Sequence, residues 1–253
     1  MNQNEKAARF AQLHVTGDPL VLYNAWDAGS AKAIEAADAK AIATSSWSVA
    51  EAQGYRDGEA IPMGFVTELV GRIAAAVAVP VTVDFEGGYS ESDDELAENV
   101  SRLIELGIVG INFEDRVVKG SGLYGIERQA RRIAAIREAA RTKQVPLFIN
   151  ARTDLFLGQG DDDPAKSVSE ALERAKGYAA AGASGFFVPG LRDAALIEQI
   201  CKGVSLPVNV MVMEGVPSND QLSQLGVARI SYGPIPYIRA MALLKDEARK
   251  ILS

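Results

Sequence analysis

The sequence predicts an α/β protein, a single (β/α)8 TIM barrel over residues 1–253 with an extra N-terminal helix, and three observations carry that expectation. Eight short apolar runs rich in β-branched residues recur, each followed by a stretch with helical periodicity. Alternation of this kind implies a parallel sheet with right-handed crossovers, and eight units close a barrel. The chain has 253 residues, close to the roughly 250 of such a barrel, and neither a Pro- or Ser-rich linker nor a low-complexity segment divides it.

A helix over Glu5–Leu13 comes first. The strand-like runs are Leu20–Tyr23, Ala41–Thr44, Pro80–Phe85, Val109–Phe113, Pro146–Ala151, Gly185–Pro189, Pro207–Val212 and Ala228–Tyr232. Helix-like stretches follow them at Ser30–Ala37, Gly64–Val77, Asp93–Leu106, Ile126–Thr142, Pro164–Ala181, Arg192–Lys202, Asn219–Leu225 and Pro236–Leu252. Gly107, Gly182 and Gly226 each stand between a helix and a strand, where a left-handed helix terminus favours glycine. Ser90, Ser92, Asp93 and Asp94 read as the caps and first-turn acids of the helix that follows them, and Asp161–Asp163 before Pro164 reads the same way.

Composition then excludes whole classes of function. A net charge of -7 and a pI near 4.9, with no basic stripe, argue against a nucleic-acid partner. No stretch approaches the ~20 apolar residues of a membrane helix. The charged N-terminus does not resemble a secretory signal, and a single cysteine, Cys201, cannot close an internal disulfide, so a cytoplasmic protein is expected. Cys201 falls among apolar helix positions and reads as a buried, inert thiol, and the Asn-Val-Ser triplet at Asn99 reads as chance. The only histidine is His14, ahead of the first strand. Triads built on His and zinc sites built on His or Cys clusters are thereby excluded, which leaves carboxylates, hydroxyls, Lys and Arg to do any chemistry.

Barrel enzymes carry their chemistry at the C-terminal ends of the strands. There this sequence places Asp84 and Glu86 after the third strand, Glu114 after the fourth and Arg152 after the fifth. Positions two apart on a strand face one way, so Asp84 and Glu86 are expected to converge if the strand continues, with Glu114 joining from its neighbour. Carboxylates packed so closely repel unless a cation neutralises them, and a hard oxygen-preferring ion such as Mg2+ suits the set. The fork of Arg152 suits a substrate carboxylate. Ser45, Ser46 and Trp47 offer hydroxyls and backbone N–H groups at the end of the second strand as an oxyanion cradle. The long loop after them carries Gly54–Glu59, a lid candidate that brings Asp57 over the site, and Val117–Tyr124 is a second lid candidate holding Lys119, Ser121 and Tyr124.

These pieces resemble a known family. Asn24-Ala25-Trp26-Asp27-Ala28-Gly29-Ser30-Ala31, Gly54-Tyr55-Arg56-Asp57, Val83-Asp84-Phe85-Glu86-Gly87-Gly88-Tyr89, Phe113-Glu114-Asp115-Arg116 and Ala151-Arg152-Thr153-Asp154 are similar, in register, to the isocitrate lyase/phosphoenolpyruvate mutase superfamily. The resemblance implies a modified barrel, a homo-oligomer (dimer or tetramer) with exchanged helices, Mg2+, and 2-oxo acid chemistry through an enolate. It implies Asp84 as inner metal ligand, Glu86 and Glu114 supporting the metal through its waters, Asp57 near the reacting groups, and Arg152 on a substrate carboxylate. Ser45, Ser46 and Trp47 would hold the pyruvyl end.

The chain also departs from the family. Its lyases carry a Lys-x-Cys-Gly-His loop with a catalytic Cys, where this chain reads Lys119-Gly120-Ser121-Gly122-Leu123. The Asn or Thr and the His of the phosphonate enzymes correspond here to Gly122 and Pro189. The expected activity is a Mg2+-dependent C–C bond lyase or decarboxylase acting on a small 2-oxo or 2-hydroxy carboxylate, with water, Tyr124 or Ser121 as proton donor. Decarboxylation ranks first because departing CO2 needs no proton. The alternatives are P–C bond chemistry on phosphonopyruvate and a catalytically silent carboxylate-binding barrel.

Overall fold

A computed structural model describes residues 1–157 and 163–252. Eight parallel strands form one sheet in the order β1-β8-β7-β6-β5-β4-β3-β2. They are β1 Leu20–Leu22, β2 Ile42–Ala43, β3 Val81–Asp84, β4 Gly110–Glu114, β5 Phe148–Arg152, β6 Gly185–Phe187, β7 Val208–Met211 and β8 Arg229–Ser231. The seam between β1 and β2 is closed just above the strands, where Ala25 pairs in parallel with Thr44. Asn24 staples that seam: its Nδ2 donates to the Thr44 carbonyl at 2.8 Å while its Oδ1 accepts from the backbone N–H of Gly233 at 2.9 Å. All eight strand-like runs therefore sit in a nearly closed (β/α)8 barrel.

The surrounding helices among the described residues are α1 Gln3–Gln12, α2 Ala28–Ala36, α3 Ser46–Ala52, α4 Met63–Ala76, α5 Asp93–Glu105, α6 Ile126–Thr142, α7 Val168–Ala180, α8 Ala194–Gly203, α9 Asn219–Gln224 and α10 Ile235–Leu252. The sequence reading lacked α3, whose seven residues are too few to show a helical period. It also ran Pro164–Ala181 as one helix, whereas Pro164–Ser167 forms a 3-10 turn before α7. Asp163 caps that turn through the N–H of Ala165; Asp161 and Asp162 lie outside the described residues. Ser92 occupies the N-cap of α5 without a side-chain bond, and Ser90 instead accepts from the N–H of Ser92. Asn99 is buried and donates to the Gly88 carbonyl, so it is no glycan acceptor. Burial pushes the Cys201 thiol up to about 11, in keeping with an inert side chain.

Two features frame the site. Helix α1 closes the bottom of the barrel: Phe10 is wholly buried edge-on to Phe148, and the His14 ring stacks on Phe148 at 4.0 Å. Gly110 is needed beneath it, because a Cβ there would stand 2.8 Å from Phe10 Cε1 and 2.9 Å from Thr82 Oγ1. At the other extreme α10 leaves the barrel. Pro236 is its one buried residue, and Ile238, Met241, Leu243 and Leu244 are exposed. On the barrel wall Val21 and Tyr23 are exposed as well. No helix among the described residues is long and apolar enough to cross a membrane.

Candidate active site

At the C-terminal rim lies a cavity of about 190 Å3 that includes Ser45, Ser46, Trp47, Asp57, Asp84, Asn112 and Arg152 in its lining. Five of the sequence-derived candidates, Ser45, Ser46, Trp47, Asp57 and Arg152, thus meet in one place with the expected metal ligand Asp84. The opposite wall is apolar, made by Leu157, Phe187, Pro189, Met211 and Pro234.

Asp84 ends β3 and is clamped. Its Oδ2 accepts from the hydroxyl of Ser46 at 2.7 Å and from the Ser46 N–H at 3.1 Å, while its own N–H donates to Thr44 Oγ1. Its Oδ1 is less committed, with Asn112 Nδ2 at 3.5 Å and Arg152 Nη1 at 3.9 Å. Helix α3 is what aims Ser46 at this carboxylate, since Ser45 serves as its N-cap and accepts from the Ser48 N–H.

Glu86 arrives differently from the expectation. Strand β3 stops at Asp84, and Glu86 takes a left-handed φ of 49°. Its carboxylate accepts from the Glu59 N–H at 2.7 Å and from the Tyr89 hydroxyl at 3.3 Å. Glu59 returns the contact by accepting the Tyr89 N–H at 2.7 Å, and Glu59 and Tyr89 also have positive φ, 56° and 62°. Three left-handed side-chain-bearing residues bonded to one another amount to strain of about 1 kcal/mol or more each, the kind that concentrates at functional sites. The arrangement ties the Gly54–Glu59 loop, and with it Asp57, to the end of β3.

Electrostatics reflect this crowding. Burial, then the charges of Asp57 and Asp84, push the Glu86 carboxyl up to about 8. Burial and Asp84 raise Asp57 as well, and burial raises Glu114 against the opposing pull of Arg152, 3.0 Å away. Arg152 is more committed than a free substrate clamp. Its Nε and Nη2 hold Asp154 at 2.6 and 3.0 Å, and its Nη1 reaches Glu114. Burial alone would pull the guanidinium down, but Glu114, Asp154 and Asp84 hold it charged.

Two candidates lie elsewhere. Tyr124 packs its ring 4.5 Å from the Arg132 guanidinium and borders a separate small hollow with Glu59, Arg116 and Lys119. Ser121 is exposed in the turn before it. Neither lines the cavity; Glu86 and Glu114 do not line it either, but their charges act on Asp84 at its edge. Asp115, adjacent to Glu114, is structural: it pairs with Arg174 at 3.0 Å and accepts from the Tyr178 hydroxyl and the Asp154 N–H. Asn112 and the apolar wall escaped the sequence reading as site residues. Asn112 was visible only as a polar residue at a strand end.

A cation fits this set in one particular way. Among the described residues no three His, Cys, Asp or Glu side chains form a ready-made direct ligand nest. Yet Asp57, Asp84, Glu86 and Glu114 raise or feel one another's charge, with Arg152 as the one basic residue among the described residues lining the cavity. A hard ion that keeps several waters and takes few direct carboxylates suits such a surplus.

Comparison with known proteins settles the lineage. The family model described as phosphoenolpyruvate phosphomutase matches residues 10–252. The chain belongs to this family. A protein of Burkholderia cenocepacia J2315, provisionally named a phosphonomutase, superposes with a TM-score of 0.95 at 45% identity, covering 98% of this chain and 99% of its own. Oxaloacetate decarboxylase of Ectopseudomonas mendocina is 29% identical over 206 residues, 78% of this chain and 67% of that protein. Phosphonopyruvate hydrolase, solved with oxalate and Mg2+, shares the fold at a TM-score of 0.85 and 19% identity, over 99% of this chain and 87% of its own. Relatives of this chain thus carry names of lyases, decarboxylases and mutases.

Proposed function

We propose that the protein is a Mg2+-dependent C–C bond lyase or decarboxylase of small 2-oxo or 2-hydroxy carboxylates, with decarboxylation of an oxaloacetate-like acid ranked first. One observation carries this reading: a single cavity joins Asp57 and Asp84 to an apolar wall, and Arg152, the one basic residue among the described residues lining it, is already shared by Glu114 and Asp154. Beside Arg152 a phosphonyl dianion would find no second cation among the described residues that line the cavity, and Arg116 acts on Asp57 only from outside it, which weighs against P–C chemistry. A carboxylate that leaves as neutral CO2 needs none.

Asp84 would hold the ion directly, with Glu86 and Glu114 supporting it through water. When bound, Mg2+ supplies positive charge to the oxygens of an enolate as it develops. Ser46 keeps Asp84 in one orientation through its N–H and hydroxyl. Arg152 would add a fixed positive charge 3.9 Å from Asp84. Leu157, Phe187, Pro189 and Met211 exclude water from the leaving fragment. Asp57 lines the cavity with its carboxyl raised by burial and by Asp84, the direction that suits a group returning a proton to the enolate carbon. That role replaces Tyr124 and Ser121.

The assembly is proposed as a homo-oligomer. A projecting α10 with an apolar face and an uncovered barrel wall at Val21 and Tyr23 complement each other between copies. The cytoplasm is the proposed compartment and a small carboxylate the partner.

The test is pyruvate release coupled to NADH oxidation, with Mg2+ and then with chelator. Oxaloacetate, phosphonopyruvate and branched 2-hydroxy diacids are supplied separately, and phosphonopyruvate is also assayed for phosphoenolpyruvate. Chelator-sensitive turnover of oxaloacetate or a diacid supports the reading. Turnover of phosphonopyruvate alone refutes it, and Mg2+ binding without turnover of any acid favours the silent barrel.

A further inference from the structure

We propose that Arg229 is a positioning residue for Asp84, acting from inside the barrel through the side-chain amide of Asn112. Arg229 lies on β8 and is 1% exposed, and its Nη2 donates to Asn112 Oδ1 on β4 at 3.1 Å. Strands β8 and β4 stand four places apart in the sheet, so this bond crosses the barrel interior. Among the described residues the Nε and Nη1 of Arg229 have no hydrogen-bond partner. Burial pulls the guanidinium down to about 9, and the charge that opposes the fall is that of Asp84.

A buried guanidinium with one hydrogen bond, a phenyl ring 5.9 Å away at Phe10 and no carboxylate among the described residues against it is a costly way to fill a core, and an apolar side chain of similar length would pack there at less expense. Its position gives it another use. Asn112 Oδ1 accepts from Arg229 and also from Asn150 Nδ2 at 2.9 Å. Two donors on that oxygen fix the amide with its Nδ2 toward Asp84 Oδ1, at 3.5 Å. A flipped amide would set oxygen against carboxylate. Asp84 is thus held from two sides, by Ser46 on Oδ2 and by the Arg229–Asn112 relay on Oδ1. Arg229 also puts positive charge below a rim where Asp57, Asp84, Glu86 and Glu114 crowd together.

This assignment rests on the reading of Asp84 as the metal ligand, and the experiment separates the two. Mg2+ is titrated by calorimetry into chelator-washed wild type, R229M, R229K, N112A and the R229M/N112A double variant, with circular dichroism as the check on folding. R229M and N112A should each weaken Mg2+ binding by about tenfold or more, as loss of a residue that orients a metal ligand does. The double variant should be no weaker than the worse single one, because both changes break one relay. R229K, which keeps a cationic donor, should retain most of the affinity. Should R229M fail to fold, R229Q takes its place in the same cycle. Unchanged Mg2+ affinity in the folded Arg229 and Asn112 variants, or losses that multiply in the double variant, overturns the relay while leaving the metal reading intact. A wild type that binds no Mg2+ overturns both.

Discussion

Replacing Glu86 by Gln should make the protein more stable in alkaline solution and leave it nearly unchanged in acid. The side chain is 4% exposed, and its carboxyl is raised from 4.5 to about 8 by burial and by Asp57 and Asp84. Between those values the folded chain holds a proton that the unfolded chain has released, so stability falls as pH rises through that window. At about 1.36 kcal/mol per unit, the linkage costs about 1.4 kcal/mol at pH 5.5 and on the order of 4.6 kcal/mol at pH 8.5. Glutamine removes the charge and keeps both contacts: its oxygen accepts the Glu59 N–H, and its amide donates to the Tyr89 hydroxyl oxygen. Urea unfolding of both proteins with chelator present, at pH 5.5, 7 and 8.5, measures the effect. The advantage of Gln should grow by about 3 kcal/mol across that range, and Mg2+ should shrink it. An advantage independent of pH, or a wild type that gains stability toward pH 8.5, would refute the account of Glu86 as a buried acid in a negative field.

Four further outcomes are expected. D84N should lose Mg2+-dependent turnover by at least about 100-fold and also lose its Mg2+-induced rise in Tm, since the change removes the charge of the proposed direct ligand. R174M leaves Asp115 buried without its cation and should cost about 3–5 kcal/mol in urea unfolding, with any loss of activity following loss of fold. G110A drives a Cβ into Phe10 and Thr82 and should cost about 1–3 kcal/mol, measured as a fall in the urea midpoint. L243E/L244E, both exposed on α10, should reduce the mass measured by light scattering while leaving the circular dichroism of the barrel unchanged.

The barrel was readable because each strand and most helices announce themselves locally, by β-branched runs, helical period and glycine at the helix ends. What sequence could not show was direction in space. Glu86 follows Asp84 by two positions, yet the chain turns left-handed there and hands its carboxylate to Glu59. Arg152 reads as a free fork until Asp154, two residues on, closes on it. Tyr124 sits in the right loop but faces Arg132. Arg229, amid buried Ala228 and Ile230, reads as one polar residue in an apolar strand, and its partner stands 117 positions away. The acids of the rim, by contrast, were legible as a set, because like charges brought together at strand ends need a common reason.

The stacking of His14 on Phe148 has a practical consequence. The imidazole of this chain's one histidine is pulled down to about 3 by burial and by the charge of Arg229. Its proton NMR spectrum should therefore contain a single imidazole set, displaced by the aromatic ring 4.0 Å away and insensitive to pH between about 5 and 8. Those resonances report the docking of α1 under the barrel without any label. Their return to the positions and titration of a free histidine would mark the moment the floor of the barrel opens, whether or not the strands above have begun to separate.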